Sequence, residues 1–231
     1  MKKQFINGIK DGFPIGLGYL SVSLGFGILA ASVGISPFEA WIISASNLTS
    51  AGQVAGVGII AAAGSYLEMA ITQLVINIRY ALMGISLSQK LDDSFHTPQR
   101  MAVAYGITDE IFAAAHAKEG KISPVYMYGM IFIAFLGWTT GTLIGAAAGE
   151  ILPQALTDAM GIMLYGMFLA VIIPASQSSR GALVVTIIAA VISILFYYVF
   201  TAVSGGFAII ISAVAAAAIG AALFPVAEEE D

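Results

Sequence analysis

Charged and amide side chains are rare in this chain, and the few that stand inside its apolar runs are the ones able to do chemistry. Between residues 65 and 90 these are Glu68, Thr72, Gln73, Asn77 and Arg79. At 100° per residue, Glu68, Thr72, Arg79, Ser86 and Lys90 fall within about 40° of one another on a helix. Gln73, Asn77, Tyr80, Gly84 and Ser88 form a second stripe on the opposite side. Leu67, Ile71, Leu74, Ile78, Leu82 and Ile85 fill a sector between the stripes that suits lipid. An arginine at mid-span costs about 2.5–3.5 kcal/mol on insertion scales, so Arg79 needs acceptors. Glu68, Asp109, Glu110 and the carbonyls of a broken helix are the candidates. Three roles are open to Arg79: a buried ion pair that sets packing, a contact to substrate, or a side chain reaching the membrane surface. Asp109 and Glu110 are adjacent, so on a helix they point about 100° apart and cannot form a facing acid–base pair. One of them can carry a proton or hold an ammonium group, and lining a polar mouth is the plainer alternative. Gln53, beside Ala51 and Gly52, suits a helix break, where its amide either meets a ligand or caps the helix.

Other chemistries are excluded. The chain has no cysteine, which removes thiol catalysis and cysteine-ligated metal centres. His96 lies in a loop and His116 near a segment end, without metal-ligand spacing, and both are expected to be solvated. No nucleotide-binding, hydrolase or metalloprotease signature is present, so neither metal nor cofactor is expected. The net charge of −5 owes much to the tail Glu228-Glu229-Glu230-Asp231 and gives no basic footprint for nucleic acid.

The elements that must position these residues follow from composition. Of 231 residues, 59% are hydrophobic and 10% charged, with a mean hydropathy of +0.92. Soluble domains carry about 25% charged residues, so this is the composition of an all-α polytopic membrane protein. Six stretches are long and apolar enough to cross a bilayer: 13–34, 65–90, 124–148, 158–174, 182–203 and 207–225. Two more, 36–64 and 98–117, are interrupted by Ser46-Asn47-Leu48-Thr49-Ser50 and by Thr108-Asp109-Glu110. With the N-terminus inside and both interrupted stretches re-entrant, eight of the nine basic residues become cytoplasmic and Arg79 alone stays within a span. Letting either stretch cross moves at least two of them outside. Irregular backbone at membrane depth is tolerated only where protein buries it or water wets it, so the two breaks point to a central site. The whole chain, 1–231, is expected to form one transmembrane domain. A cytoplasmic N-terminus (1–12) precedes it without a cleaved signal peptide, and an acidic tail (226–231) follows.

Gly137, Gly141, Gly145 and Gly149 form a small-residue face for close packing, either internal or against a second subunit. Tyr126, Tyr128, Trp138, Tyr197 and Tyr198 suit interfacial anchoring or packing.

Four segments resemble the AzlC family, the large subunits of branched-chain amino acid exporters. They are residues 13–30 (FPIGLGYLSVSLGFGILA), the break at 50–53 (SAGQ), 77–88 (NIRYALMGISLS) and 104–112 (AYGITDEIF). The resemblance implies secondary export of leucine, isoleucine, valine and, by extension, methionine across a prokaryotic cell membrane, with a small AzlD-like membrane subunit as partner. It brings no residue-level mechanism. From the physics, Gln53, Asn77, Arg79, Tyr80 and Thr108 are the candidates for binding substrate, and Asp109, Glu110 and Glu68 for coupling an ion. The other classes compatible with a polar site around Arg79, Asp109 and Glu110 are an intramembrane enzyme and a passive channel.

Overall fold

The computed structural model describes residues 1–149 and 172–225, together with Ile162, Gly166 and Leu169. Among these the protein is all-α, with extended pairing confined to a bridge between Leu91 and Ile122. The named helices are α1 (Lys2–Ser32), α2 (Pro37–Ser46), α3 (Ala51–Ala61), α4 (Tyr66–Ser88), α5 (Thr97–Tyr105), α6 (Asp109–Ala117), α7 (Pro124–Ala148), α8 (Arg180–Tyr198) and α9 (Gly205–Leu223). By length and apolar content α1, α4, α7, α8 and α9 can each cross a membrane. The expected span at 158–174 lies largely outside the described residues.

The two interrupted stretches are broken where their polar residues fall. α2 is started by a capping box, Ser36 with Glu39, and Pro37 follows the cap. The Ser36 hydroxyl and backbone amide hold the Glu39 carboxyl below its ordinary range. The helix stops at Asn47, whose backbone is extended, and Ser50 takes a φ of 45° before α3 begins. α5 stops at Gly106, and Thr108 restarts the chain as the N-cap of α6, accepting from the Ile111 amide at 3.4 Å.

α1 starts at Lys2, ahead of the apolar run that begins at 13. Packing explains the difference. A Cβ at Gly8 would strike the Tyr126 carbonyl, so α1 lies against α7 well before the apolar run begins. Asp11 adds a polar tie to the same helix, accepting from the Tyr126 hydroxyl at 2.7 Å, and it lies 3.5 Å from Lys118 at the end of α6. Farther along, Gly137, Gly141 and Gly145 meet the backbone of Gly16, Leu20 and Leu24. The glycine face of α7 thus packs internally, and its missing side chains let two helices approach to backbone contact.

The chain divides into two compact units, Met1–Val54 with Asn77–Leu164, and Ala55–Ile76 with Tyr165–Asp231. The first holds a core that includes Leu87, Ile111, Ile122, Met127, Met130 and Trp138. In the second, α8 packs on α9, with Gly220 against Val185 and Gly181 against Phe224. Leu183, Ile187, Val191 and Ile194 of α8 are exposed, an apolar surface that suits lipid.

Candidate functional site

Within the first unit both helix breaks gather around one half of α4. Arg79 forms an ion pair with Asp109 at the head of α6, and its guanidinium also donates to the Tyr80 hydroxyl at 3.2 Å. The guanidinium carbon lies 4.8 Å from the Tyr80 ring centre. The paired side chains are 38% and 37% exposed, so the pair is reachable rather than sealed in the core. Arg79 is ion-paired, and Asp109 is the partner.

Glu110, one residue on, faces elsewhere. Its carboxylate accepts from the Tyr19 hydroxyl, which also contacts Thr108 Oγ1 at 2.6 Å. The adjacent acids thus serve different partners, one a cation and one a neutral phenol. On the other break, the Thr49 hydroxyl donates to Asn77 and lies in hydrogen-bonding range of Tyr80. The Tyr105 hydroxyl at the end of α5 donates to the Ala45 carbonyl near the end of α2, tying the two broken segments together. Asn77, Arg79, Tyr80, Thr108, Asp109 and Glu110 are therefore brought into one neighbourhood.

Gln53 has a different task. Its side-chain oxygen accepts from Trp138 Nε1 at 2.9 Å and from the Ser50 amide at 3.3 Å. Its nitrogen donates to Ser44 Oγ at 2.9 Å, and Ser44 pairs with Thr142 at 2.7 Å. At 3% exposure this amide caps α3 and ties α2, α3 and α7 together.

Glu68 belongs to the second unit. It is 5% exposed, and its carboxylate accepts from the Ser204 hydroxyl and, at 3.0 Å, from the Gly206 amide. It caps the start of α9 from a distance, where the helix dipole favours a negative charge. The Thr72 hydroxyl, one turn along α4, is fully buried without a partner among the described residues.

One expectation needs correction. His116 is not solvated: its ring lies 4.3 Å from that of Phe112 and Nε2 is 3.2 Å from Ser86 Oγ, because α6 folds back beside the end of α4. Of the two roles open to Trp138 it takes packing, being 2% exposed and edge-on to Tyr19 at 5.3 Å. Its position carried the signal, since fourteen residues into α7 it stands about 21 Å along the helix, near mid-bilayer. Tyr19 and Thr49 are the site residues missed by sequence reasoning. Tyr19 stands amid mostly small and apolar neighbours, Thr49 is visible only as one member of the polar run 46–50, and both find their partners in other segments.

Five helices long and apolar enough to cross a membrane define a polytopic helical membrane protein, and within the first unit two helix breaks around an accessible ion pair suit one of the transporter type. The family model described as AzlC protein matches residues 14–152. Inner membrane protein YgaZ of Escherichia coli K12 is 32% identical over 187 residues, 78% of this chain and 76% of that protein. A membrane protein of Archaeoglobus fulgidus, described as uncharacterized, is 28% identical over 174 residues, 74% of this chain and 75% of its own. One from Helicobacter pylori J99, described in the same words, is 28% identical over 155 residues, 64% and 67% of the two chains. No solved structure matches. The chain belongs to the AzlC family.

Proposed function

We propose that this protein is the large subunit of a two-component secondary exporter of neutral, apolar amino acids: the branched-chain leucine, isoleucine and valine, and the unbranched methionine. A small AzlD-like membrane subunit is its partner, and the chain works as one transport domain in a prokaryotic cell membrane with both termini cytoplasmic. The observation that carries this is the accessible Arg79–Asp109 pair at the meeting of two helix breaks. A zwitterion brings the same two charges. Its carboxylate replaces Asp109 on the guanidinium, with bidentate geometry available, and its ammonium takes the carboxylate so released. Neither protein charge is left bare during the exchange, which keeps the desolvation cost low.

Asn77, Tyr80 and Thr108 supply hydrogen bonds around this pair, and Gln53 supports the break beneath it. Glu110, which accepts from the Tyr19 hydroxyl, and Asp109, tied to a cation, are the first unit's candidates for coupling an ion. Glu68, the other group expected to couple an ion, is engaged by the start of α9 and serves there as a structural fastening. With no nucleotide site, the carrier draws on an ion or substrate gradient, and it performs no covalent chemistry.

The test is counterflow in proteoliposomes. Internal unlabelled leucine should drive transient accumulation of labelled leucine, and Arg79→Ala should abolish it without reducing the reconstituted protein. Equilibration without overshoot would identify a pore instead.

A further inference from the structure

We propose that the site is built from an internal repeat whose two copies exchange contacts, with Tyr19 and Thr49 as positioning residues equivalent to Tyr80 and Thr108. Ile15, Leu17 and Tyr19 of α1 are matched 61 residues later by Ile76, Ile78 and Tyr80 of α4. Leu48-Thr49, in the first break, is matched 59 residues later by Ile107-Thr108 in the second. Each copy is thus a long helix followed by a segment broken at a buried apolar–threonine pair. The four break residues agree closely in exposure: Leu48 8%, Ile107 7%, Thr49 5% and Thr108 3%.

The contacts run crosswise. Tyr19 of the first copy meets Thr108 of the second, and Tyr80 of the second meets Thr49 of the first. A two-fold rotation that maps each copy onto the other turns one of these contacts into the other. The charge distribution runs α1 and α4 in opposite directions through the bilayer, which lays the axis in the membrane plane. The two tyrosine–threonine contacts then hold segments that enter from opposite faces: 36–64 from outside and 98–117 from the cytoplasm.

The copies differ where charge is concerned. Arg79, Asp109 and Glu110 of the second copy stand where the first has Gly18, Ser50 and Ala51. The charged head of the substrate is therefore bound by one copy, while the shared tyrosine–threonine contacts set which face is open.

The inference uses the carrier reading only for this consequence, and its test reads accessibility rather than transport. The chain has no native cysteine, and a Cβ at Gly18 or Gly84 meets no atom within 4 Å, so single cysteines there are tolerable reporters. Full-length protein in sealed vesicles is labelled with a membrane-impermeant maleimide added to one face or the other. Tyr80→Phe should raise the ratio of external to cytoplasmic labelling about three- to fivefold, the population change of one hydrogen bond. Tyr19→Phe should lower it by a similar factor, and the double variant should return it to the parent value. Thr49→Val and Thr108→Val provide a second, nearly isosteric pair should either tyrosine variant express poorly. Shifts in the same direction, or none in variants recovered at parental yield, would overturn the repeat. Opposite shifts in a protein without leucine counterflow would leave the repeat standing and remove the carrier assignment.

Discussion

α4 carries two carboxylate arrangements at its two ends, and they are built in opposite ways. Near its C-terminal half, Arg79 meets Asp109 in a pair more than a third exposed, charge against charge. Near its start, Glu68 is 5% exposed and is held by a hydroxyl and an amide at the head of α9. A carboxylate neutralised by an accessible cation can change partners when another charged group arrives. One fixed by a helix N-terminus in a buried setting cannot leave without unsatisfying that helix. The same helix thus provides an exchangeable pair in one unit and a structural fastening in the other.

This contrast predicts that damage at the two ends has different symptoms. The largest effect is expected from Arg79→Ala, which should cut leucine counterflow by more than about tenfold while leaving protein in the membrane at parental level. Arg79→Lys should recover only part of the activity, because an ammonium cannot grip a carboxylate at two points. Loss of the protein itself, seen by quantitative blotting, would make the pair a packing device instead.

Glu68→Ala should do the reverse. Unsatisfying the start of α9 should cost about 1–3 kcal/mol, read as a lower unfolding temperature of the detergent-solubilised protein. The transport remaining per folded molecule should change little. Gly206→Ala should act in the same direction and less strongly, since its Cβ would meet the Glu68 carboxylate and push it off the amide. A Gly206→Ala protein as stable as the parent would show that this fastening contributes nothing. The smallest effect is expected from Tyr19→Phe, about 0.6 kcal/mol for a hydrogen bond in a membrane interior. It should appear in the sidedness of labelling rather than in yield.

Much of this was legible in the sequence, for identifiable reasons. Polar and small residues cannot continue an apolar helix at membrane depth unless something satisfies them, so the interruptions at 46–50 and around 108 marked real breaks. The sector that periodicity assigned to lipid is exposed at Leu67, Leu74, Ile78, Leu82 and Ile85 and half-buried at Ile71. Angle alone misled where distance mattered. Glu68 and Arg79 share a face of α4 but stand eleven residues apart, about 16 Å along the axis, beyond the reach of both side chains. The choice of Asp109 over Glu110 as the partner of Arg79 depends on how α6 is aimed after its Thr108 cap. That direction is a tertiary fact, set by Tyr19 and by packing under Ile111, and no local pattern encodes it.

The central claim is that the Arg79–Asp109 pair is the place where a zwitterion binds, and competition at equilibrium tests it most directly. Displacement of labelled leucine from the purified protein should be measured with leucine, with 4-methylpentanoate, which lacks the amine, and with isopentylamine, which lacks the carboxylate. Leucine should compete at least about tenfold better than either singly charged analogue, each missing contact being worth that factor or more. Arg79→Ala should erase its advantage over the amine. Equal competition by either analogue and leucine in the parent protein would contradict the account, because the pair would then recognise the aliphatic side chain's neighbourhood and not the two charges.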